Sequence, residues 1–354
     1  MVPVVDLRRR AEGHRDAFLA AASRVLASGR VLLGPETEAL EADLAAWSGH
    51  DHAVAVGSGA SALQLALTAL GVGPGDEVLV PAFTAVPTAS AVLATGATPV
   101  PVDVDPATAA LDPGEAAMAM TERVRAIVPV HLYGRPAPLG AELGVPVLED
   151  AAQAHGALDA DPSASAAVAY SFYPTKNVGG MGDGGAVVTS DASLAERVRR
   201  LRNHGMTEQY VHTDVSQNHR MSELEAAWLR LVLPDVTAGN ARRADIAARY
   251  RAAAPPLRWH AEHPRHVYHL CVVRAASREG FQRALKDAGV ATAVHYPLAL
   301  TQQPAYRHLI RRPCPNAEAW AAECVTLPCF PELHDEEVAR VCEALSSLPA
   351  DALR

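Results

Sequence analysis

His52-Ala53-Val54-Ala55-Val56-Gly57-Ser58-Gly59-Ala60-Ser61-Ala62-Leu63 is the stretch on which the fold reading turns. A short apolar run ends in a Gly-Ser-Gly turn, and a helical segment, Ala60–Leu70, follows at once. Strand, glycine turn and helix in that order are the unit of an α/β protein. Downstream, Gly73-Pro74-Gly75-Asp76 predicts a turn, Glu77–Val80 a strand and Ala85–Ala94 a helix. Further strands are expected at Thr98–Val104, Arg125–Val130 and Val145–Glu149. Upstream, residues 13–27 and 36–47 predict helices, the second set up by Gly34-Pro35 and carrying Glu36 and Glu38 in its early turns. Short apolar runs alternating with helical segments predict a mostly parallel central sheet flanked by helices on both faces.

The alternation fades after about residue 235. Pro255-Pro256 and four histidines between His260 and His269 mark a change of architecture. Beyond them the pattern predicts a strand (His269–Arg274), a helix (Arg278–Ala288), a strand (Ala291–His295) and a terminal helix (Asp335–Leu345). The expected division is a large α/β domain over residues 1–240 and a smaller C-terminal α+β domain over 241–354, with a long helix around 222–253 at the boundary. Residues 157–168, rich in Ala, Asp and Ser, read as a mobile surface loop.

Composition narrows the function classes. The chain has 354 residues, 49% hydrophobic and 20% charged, enough for a large buried core. A net charge of −9, with aromatics at 5%, argues against phosphate-backbone binding and against stacking platforms for single strands. Met1–Arg10 lacks an apolar core of signal-peptide type, and no apolar run reaches the roughly 20 residues that span a bilayer. No membrane association and a cytoplasmic location are the defaults. The five cysteines, Cys271, Cys314, Cys324, Cys329 and Cys342, have no zinc or iron–sulfur spacing, so reduced thiols and no metal are expected.

Three features carry chemistry. Lys176 stands alone in Ser171-Phe172-Tyr173-Pro174-Thr175-Lys176-Asn177-Val178-Gly179-Gly180, an apolar and glycine-rich setting. Such a lysine reads either as a turn residue or as an imine-forming amine, whose pKa desolvation would lower. Asp150, in Leu148-Glu149-Asp150-Ala151-Ala152-Gln153, closes an apolar strand where α/β enzymes place catalytic groups. It could cap a helix, or it could keep the ring nitrogen of pyridoxal phosphate (PLP) protonated. Ser58, Gly59 and Ala60 open a helix directly after a strand, so their amides could cradle a phosphate. A dinucleotide fingerprint remains open there, with Asp76 or Glu77 as its acidic residue, although both sit in a turn rather than at a strand end.

Taken together and in order, these stretches resemble the DegT/StrS family of PLP-dependent sugar aminotransferases, which have the fold-type-I transferase fold. The likeness runs from Leu33-Gly34-Pro35 to Pro328-Cys329-Phe330-Pro331, through Pro129-Val130-His131-Leu132-Tyr133-Gly134, Gly182-Asp183-Gly184-Gly185-Ala186, Asn218-His219-Arg220-Met221 and His295-Tyr296-Pro297. The resemblance implies that Lys176 holds PLP covalently and shuttles protons, that Asp150 pairs with the pyridine nitrogen, and that Gln153 lies near the cofactor hydroxyl. It implies a phosphate site of Ser171 with the Ser58–Ala60 amides, completed by Asn218 from the neighbouring subunit of a homodimer. His295 and Tyr296 match a segment near the substrate, and Arg220 is expected either to hold an anionic substrate group or to make an interface salt bridge. Ala60 stands where the family often has Thr. Ala85 stands where it often has a ring-stacking aromatic, for which Phe83 is a candidate substitute.

The activity so implied is transfer of an amino group from an amino acid, glutamate or glutamine, to a keto sugar (nucleotide-linked) or a keto cyclitol, in natural-product or cell-surface sugar biosynthesis. Two alternatives stand beside it: a dehydratase-like PLP enzyme, which would carry His in place of Lys176, and a regulatory PLP-binding protein. His131 and His155 read as packing or hydrogen-bonding groups and Glu149 as structural. Arg307, Arg311 and Arg312 form a basic patch that reads either as a solvated face or as a surface for a nucleotide diphosphate.

Overall fold

A computed structural model describes residues 1–348 apart from 160 and 162. Two helices open the chain. The first, α1 (Leu7–Ser28), starts six residues before the expected position because Asp6 caps it, its carboxylate accepting from the Arg8 amide at 3.1 Å. In α2 (Pro35–Ser48), Gly34 at the N-cap has no side chain to offer. Glu223, far along the chain, substitutes by accepting from the amides of Gly34, Glu36 and Thr37 at 2.8–3.0 Å.

The central sheet uses β1 (His52–Val56), β2 (Glu77–Pro81), β3 (Thr98–Val102), β4 (Val124–Ile127), β5 (Leu148–Asp150), β6 (Ala167–Ser171) and β7 (Gly185–Thr189). Their order is β3-β2-β4 and β5-β6-β7-β1, joined through parallel bridges Ile127–Val147 and Val130–Asp150. Only β7 runs against the rest, pairing antiparallel with both β6 and β1, so the sheet is mostly parallel as expected. Alternation along β1 shows how it is covered on both faces. Val54 and Val56 pack with α3 (Gly59–Ala69), α4 (Val86–Ala94) and, past the short α5 (Pro113–Ala119) along the chain, α6 (Ala192–Arg202). Ala53 and Ala55 face the opposite core, with Leu40 and Leu44 of α2 and Trp228 of α7 (Glu223–Val232).

Several expectations are corrected. Residues 157–168 are not a surface loop throughout: Ala157 is buried, Ala167 and Val168 belong to β6, and residues 160 and 162 lie outside the described residues. The strand expected at Ala291–His295 is a single bridge between Ala293 and Thr326, whereas Cys324–Leu327 forms an unexpected strand. The helix expected around 222–253 is split, a short 3-10 turn containing Pro234 separating α7 from α8 (Val236–Ala253).

Beyond α8 a small antiparallel sheet of Arg258–Trp259, Cys271–Arg274 and Cys324–Leu327 builds a second core with Ile246 and Tyr250 of α8, Phe281 and Leu285, and Val338 and Val341. Residue 240 falls inside α8, whose Val236 packs in the first region and whose Ile246 packs in the second. Val2 also joins the second core and pairs with Val290, so the chain's start returns to the C-terminal unit. Of the histidine run, His260, His266 and His269 are buried. His260 meets His266 at 3.2 Å, and His266 stacks on Tyr268 with centroids 3.9 Å apart.

Candidate active site

A cavity of about 270 Å³ lies at the carboxyl ends of the parallel strands. Ser58 follows β1, Thr84 follows β2, Val130 follows β4, Asp150 ends β5 and Ser171 ends β6, and all of them line it. Seven residues singled out from sequence meet here: Ser58, Gly59, Ala60, Asp150, Gln153, Ser171 and Lys176.

The N-terminus of α3 forms one end. Ser58 Oγ accepts from the Ser61 amide at 3.0 Å, which leaves the Gly59 and Ala60 amides without a partner among the described residues. Ser171 is pressed against this turn. A Cβ at Gly59 would lie 2.5 Å from Ser171 Cβ, and one at Gly185 would lie 2.4 Å from the Ser58 carbonyl carbon. Glycine at both positions is what lets β6, β7 and α3 converge.

At the other end sit the charged groups. Thr88 Oγ1 donates to Asp150 Oδ2 at 2.8 Å and the Ala152 amide to Oδ1 at 3.1 Å. Burial raises the Asp150 pKa, and these bonds together with the Lys176 charge offset only part of the rise. Lys176 keeps some surface open to the cavity, but the protein packed around its ammonium lowers its pKa to about 8, against the pull of Asp150. Its loop is fixed from outside. Arg10 Nη1 donates to the Lys176 carbonyl at 3.0 Å, and Asn177 Nδ2 donates to Asn240 Oδ1 of α8 at 2.7 Å.

Lys176 and Tyr173 also line a neighbouring cavity of about 390 Å³ that contains His295 and Tyr296. Gln153 links the two: its Oε1 accepts from the Tyr133 amide at 2.6 Å and its Nε2 donates to Tyr296 Oη at 2.9 Å. The hydroxyl of Tyr133 donates to the His295 carbonyl. Burial, reinforced by Lys176, lowers the His295 pKa to about 4, so its imidazole is neutral at physiological pH; burial raises the Tyr296 hydroxyl to about 12.

Other expected residues fall elsewhere. Phe83 is a correction: it is fully buried and stacks on Trp320 with centroids 6.2 Å apart, while Thr84 and Ala85 line the cavity. Its backbone continues β2, and in an extended segment adjacent side chains take opposite faces. Asn218 and Arg220 line neither cavity. Arg220 Nε donates to Asn218 Oδ1 at 3.0 Å and its Nη1 to Asn203 at 3.2 Å. Glu149 is held by His131 at 2.8 Å and by Ser165 at 2.5 Å, and His155 packs between Tyr170 and Phe172. Arg311 and Arg312 are tied to Glu77 and Glu115.

Sequence reasoning missed Thr88 and Tyr133. Thr84 and Thr88 are four residues apart, the spacing that aligns side chains on a helix, and that signal was available. Tyr133 adopts a φ of 60°, and nothing in its neighbours announces that.

An unpartnered amide cradle, a lysine of lowered pKa and a buried carboxylate fit pyridoxal phosphate, and the mostly parallel sheet with its C-terminal α+β unit is that of the fold-type-I PLP-dependent transferases. The chain belongs to the DegT/DnrJ/EryC1/StrS aminotransferase family, whose sequence profile matches residues 13–346. It is 44% identical to dTDP-3-amino-3,4,6-trideoxy-alpha-D-glucose transaminase of Streptomyces venezuelae, over 97% of this chain and 95% of that one. The crystal structure of S. venezuelae DesV superposes with a TM-score of 0.93 at 43% identity, covering 98% of this chain and 97% of that one. NtdA of Bacillus subtilis, solved with bound cofactor PMP, gives 0.92 at 28% identity over 97% and 84% of the two chains. Pyridoxal phosphate is the cofactor, and the chain is an aminotransferase. Among the described residues no helix is long and apolar enough to cross a membrane.

Proposed function

We propose that this enzyme transfers an amino group from glutamate or glutamine to a nucleotide-linked keto hexose, working as a cytoplasmic homodimer. The observation that carries the reading is the meeting of Lys176, Asp150 and the α3 amide cradle in one cavity. The name of the S. venezuelae relative supports a dTDP-linked hexose aminated at carbon 3 as the first acceptor to try.

Pyridoxal phosphate supplies an electron sink for the carbon that loses a proton. In this reading the Gly59 and Ala60 amides and Ser171 hold its phosphate, with Asn218 of a second copy as the further contact. Asp150 keeps a proton on the ring nitrogen. Lys176 Nζ would hold the cofactor covalently and, as a free amine, would take the proton from, or return it to, the substrate carbon in each half-reaction. A pKa near 8 leaves part of that amine unprotonated at neutral pH, as a base requires. Leu63, Ala85 and Pro87 give the cavity an apolar lining that excludes water, and Gln153 orients Tyr296 in the neighbouring cavity.

The dimer is supported by exposed apolar groups on the segment that leads to the exposed Asn218: Tyr210 is 85% exposed and Val215 is fully exposed, and a second copy would cover them.

The test is an absorbance spectrum of purified protein before and after glutamate and glutamine, followed by addition of dTDP-3-keto-6-deoxyhexose. Loss of the visible cofactor band with a donor, and its return with the keto sugar, is the expected result. A band that no amino acid discharges would sink the proposal.

A further inference from the structure

Arg243 is 2% exposed, yet no carboxylate lies within 4 Å of its guanidinium among the described residues. Its sequence neighbour behaves differently: Arg242 pairs with Asp245 at 3.0 Å and Asp335 at 2.8 Å. Arg243 uses Nη1 alone, donating to the carbonyls of Tyr268 and His269 at 3.4 Å and to that of Cys329. Nε and Nη2 have no acceptor among the described residues. A buried cation in this state ordinarily has a counter-ion.

The surroundings say where one would come from. Arg243 is three residues past Asn240 on α8, and Asn240 is bonded to Asn177, the neighbour of Lys176, so this helix face is turned to the lysine loop. Arg243 lines the cavity of about 390 Å³ together with Lys176, His269 and His295, and it also borders a second cavity with Arg10, Asn240 and Glu332. Both imidazoles are neutral there, burial lowering their pKa values with the lysine charge adding to the effect. Two acidic groups act on Arg243: the buried Cys329 thiol, which is also bonded to Cys271, and Glu332, which is engaged by Arg10 at 3.5 Å. An amino acid fits entirely within such a cavity, whereas a nucleotide-linked sugar would have to extend out of it.

We propose that Arg243 is the receptor for a carboxylate of the amino-acid donor, presenting the free edge of its guanidinium to the space beside Lys176. The inference rests on the aminotransferase reading of the cavity and adds to it the group that recognises the donor. Guanidinium and carboxylate form a charge-assisted, two-point contact, which also fixes the donor's orientation toward Nζ.

The experiment titrates holoenzyme with L-glutamate, following loss of the visible cofactor band, for wild type, Arg243→Lys and Arg243→Gln. Succinate serves as a non-reacting dicarboxylate probe, read by competition and by its effect on Tm. The half-saturating glutamate concentration is expected to rise on the order of 100-fold in Arg243→Gln. It should rise less in Arg243→Lys, which keeps the charge and loses the fork. The limiting rate at saturation should change by less than about fivefold, the distinction between binding and chemistry. Succinate should raise the Tm of wild-type holoenzyme, that of Arg243→Lys by less, and that of Arg243→Gln not at all. If Arg243→Gln does not fold, Arg243→Lys decides. Unchanged half-saturation with a collapsed limiting rate would make Arg243 a tie between α8 and the carbonyls and overturn the proposal. So would retained glutamate affinity with loss of competition by dTDP, which would assign the guanidinium to the sugar nucleotide. A wild type whose band no amino acid discharges would instead overturn the underlying reading.

Discussion

Glu149 and Asp150 are chemically similar neighbours on one strand, and they end on opposite faces of the sheet with opposite fates. Glu149 faces a cavity of about 320 Å³ on one side, where burial would raise its pKa but His131 and Ser165 more than compensate, so it is lowered. Asp150 faces Lys176, where burial wins over Thr88 and Ala152 and its pKa is raised. The strand alternation that separates them turns one acid into a stabilising contact and leaves the other as a functional group held in place at some expense of stability. Satisfied buried charges hold a fold together, and incompletely satisfied ones mark where a ligand belongs.

The largest effect on the Asp150 side should come from its opposite charge. Lys176→Ala should abolish the visible cofactor band and lower turnover by about 10⁴-fold or more, as loss of both covalent anchor and proton carrier requires. Turnover near the wild-type level would remove the lysine from the reaction.

Changing one strand neighbour at a time sharpens the contrast. Asp150→Asn should cut transamination by about 10³-fold while cofactor stays bound and Tm holds or rises. Glu149→Gln should leave the activity of the folded enzyme nearly intact and reduce stability by about 1–3 kcal/mol, by denaturant titration. Their pH responses should also differ in sign. The lowered pKa of Glu149 contributes stability that is present above its unfolded value and is lost as pH falls through the folded value. Asp150, with a raised pKa, works the other way, favouring the folded state as pH falls through its folded value. Tm measured between about pH 3 and 7 should therefore have a flatter acid limb in Glu149→Gln and a steeper one in Asp150→Asn.

Smaller effects concern the cradle. Gly59→Ala should weaken PLP retention roughly 10-fold or more and lower stability by about 1–3 kcal/mol, because its Cβ would displace Ser171. Wild-type retention on dialysis would mean the turn yields. Ala85→Trp should raise PLP affinity by about threefold to tenfold if an aromatic at this lining position stacks on the ring. A loss of affinity there would show that Ala85 is needed for space.

How much of this was legible beforehand depends on range. Lys176, Asp150 and the Ser58–Ala60 turn each sit at a local boundary, a strand end or a helix start, and the sequence marks such boundaries with glycines and changes of period. Phe83 shows the limit. Its type suited ring stacking, but the extended backbone after β2 turned it into the core against Trp320, 237 positions away. Glu223 capping α2, Tyr133 holding Gln153, and Arg243 sharing a cavity with Lys176 have the same origin.

By itself, then, the sequence determined the alternation of strand and helix, the parallel sheet that alternation demands, and the family whose ordered motifs it carries, because periodicity and turn chemistry act over a few residues. Only the tertiary structure decided which side chains share a cavity, which acids are paired and which buried cation has no carboxylate partner among the described residues. Those outcomes depend on distance and burial between residues far apart in the chain, and neither quantity is written in local order.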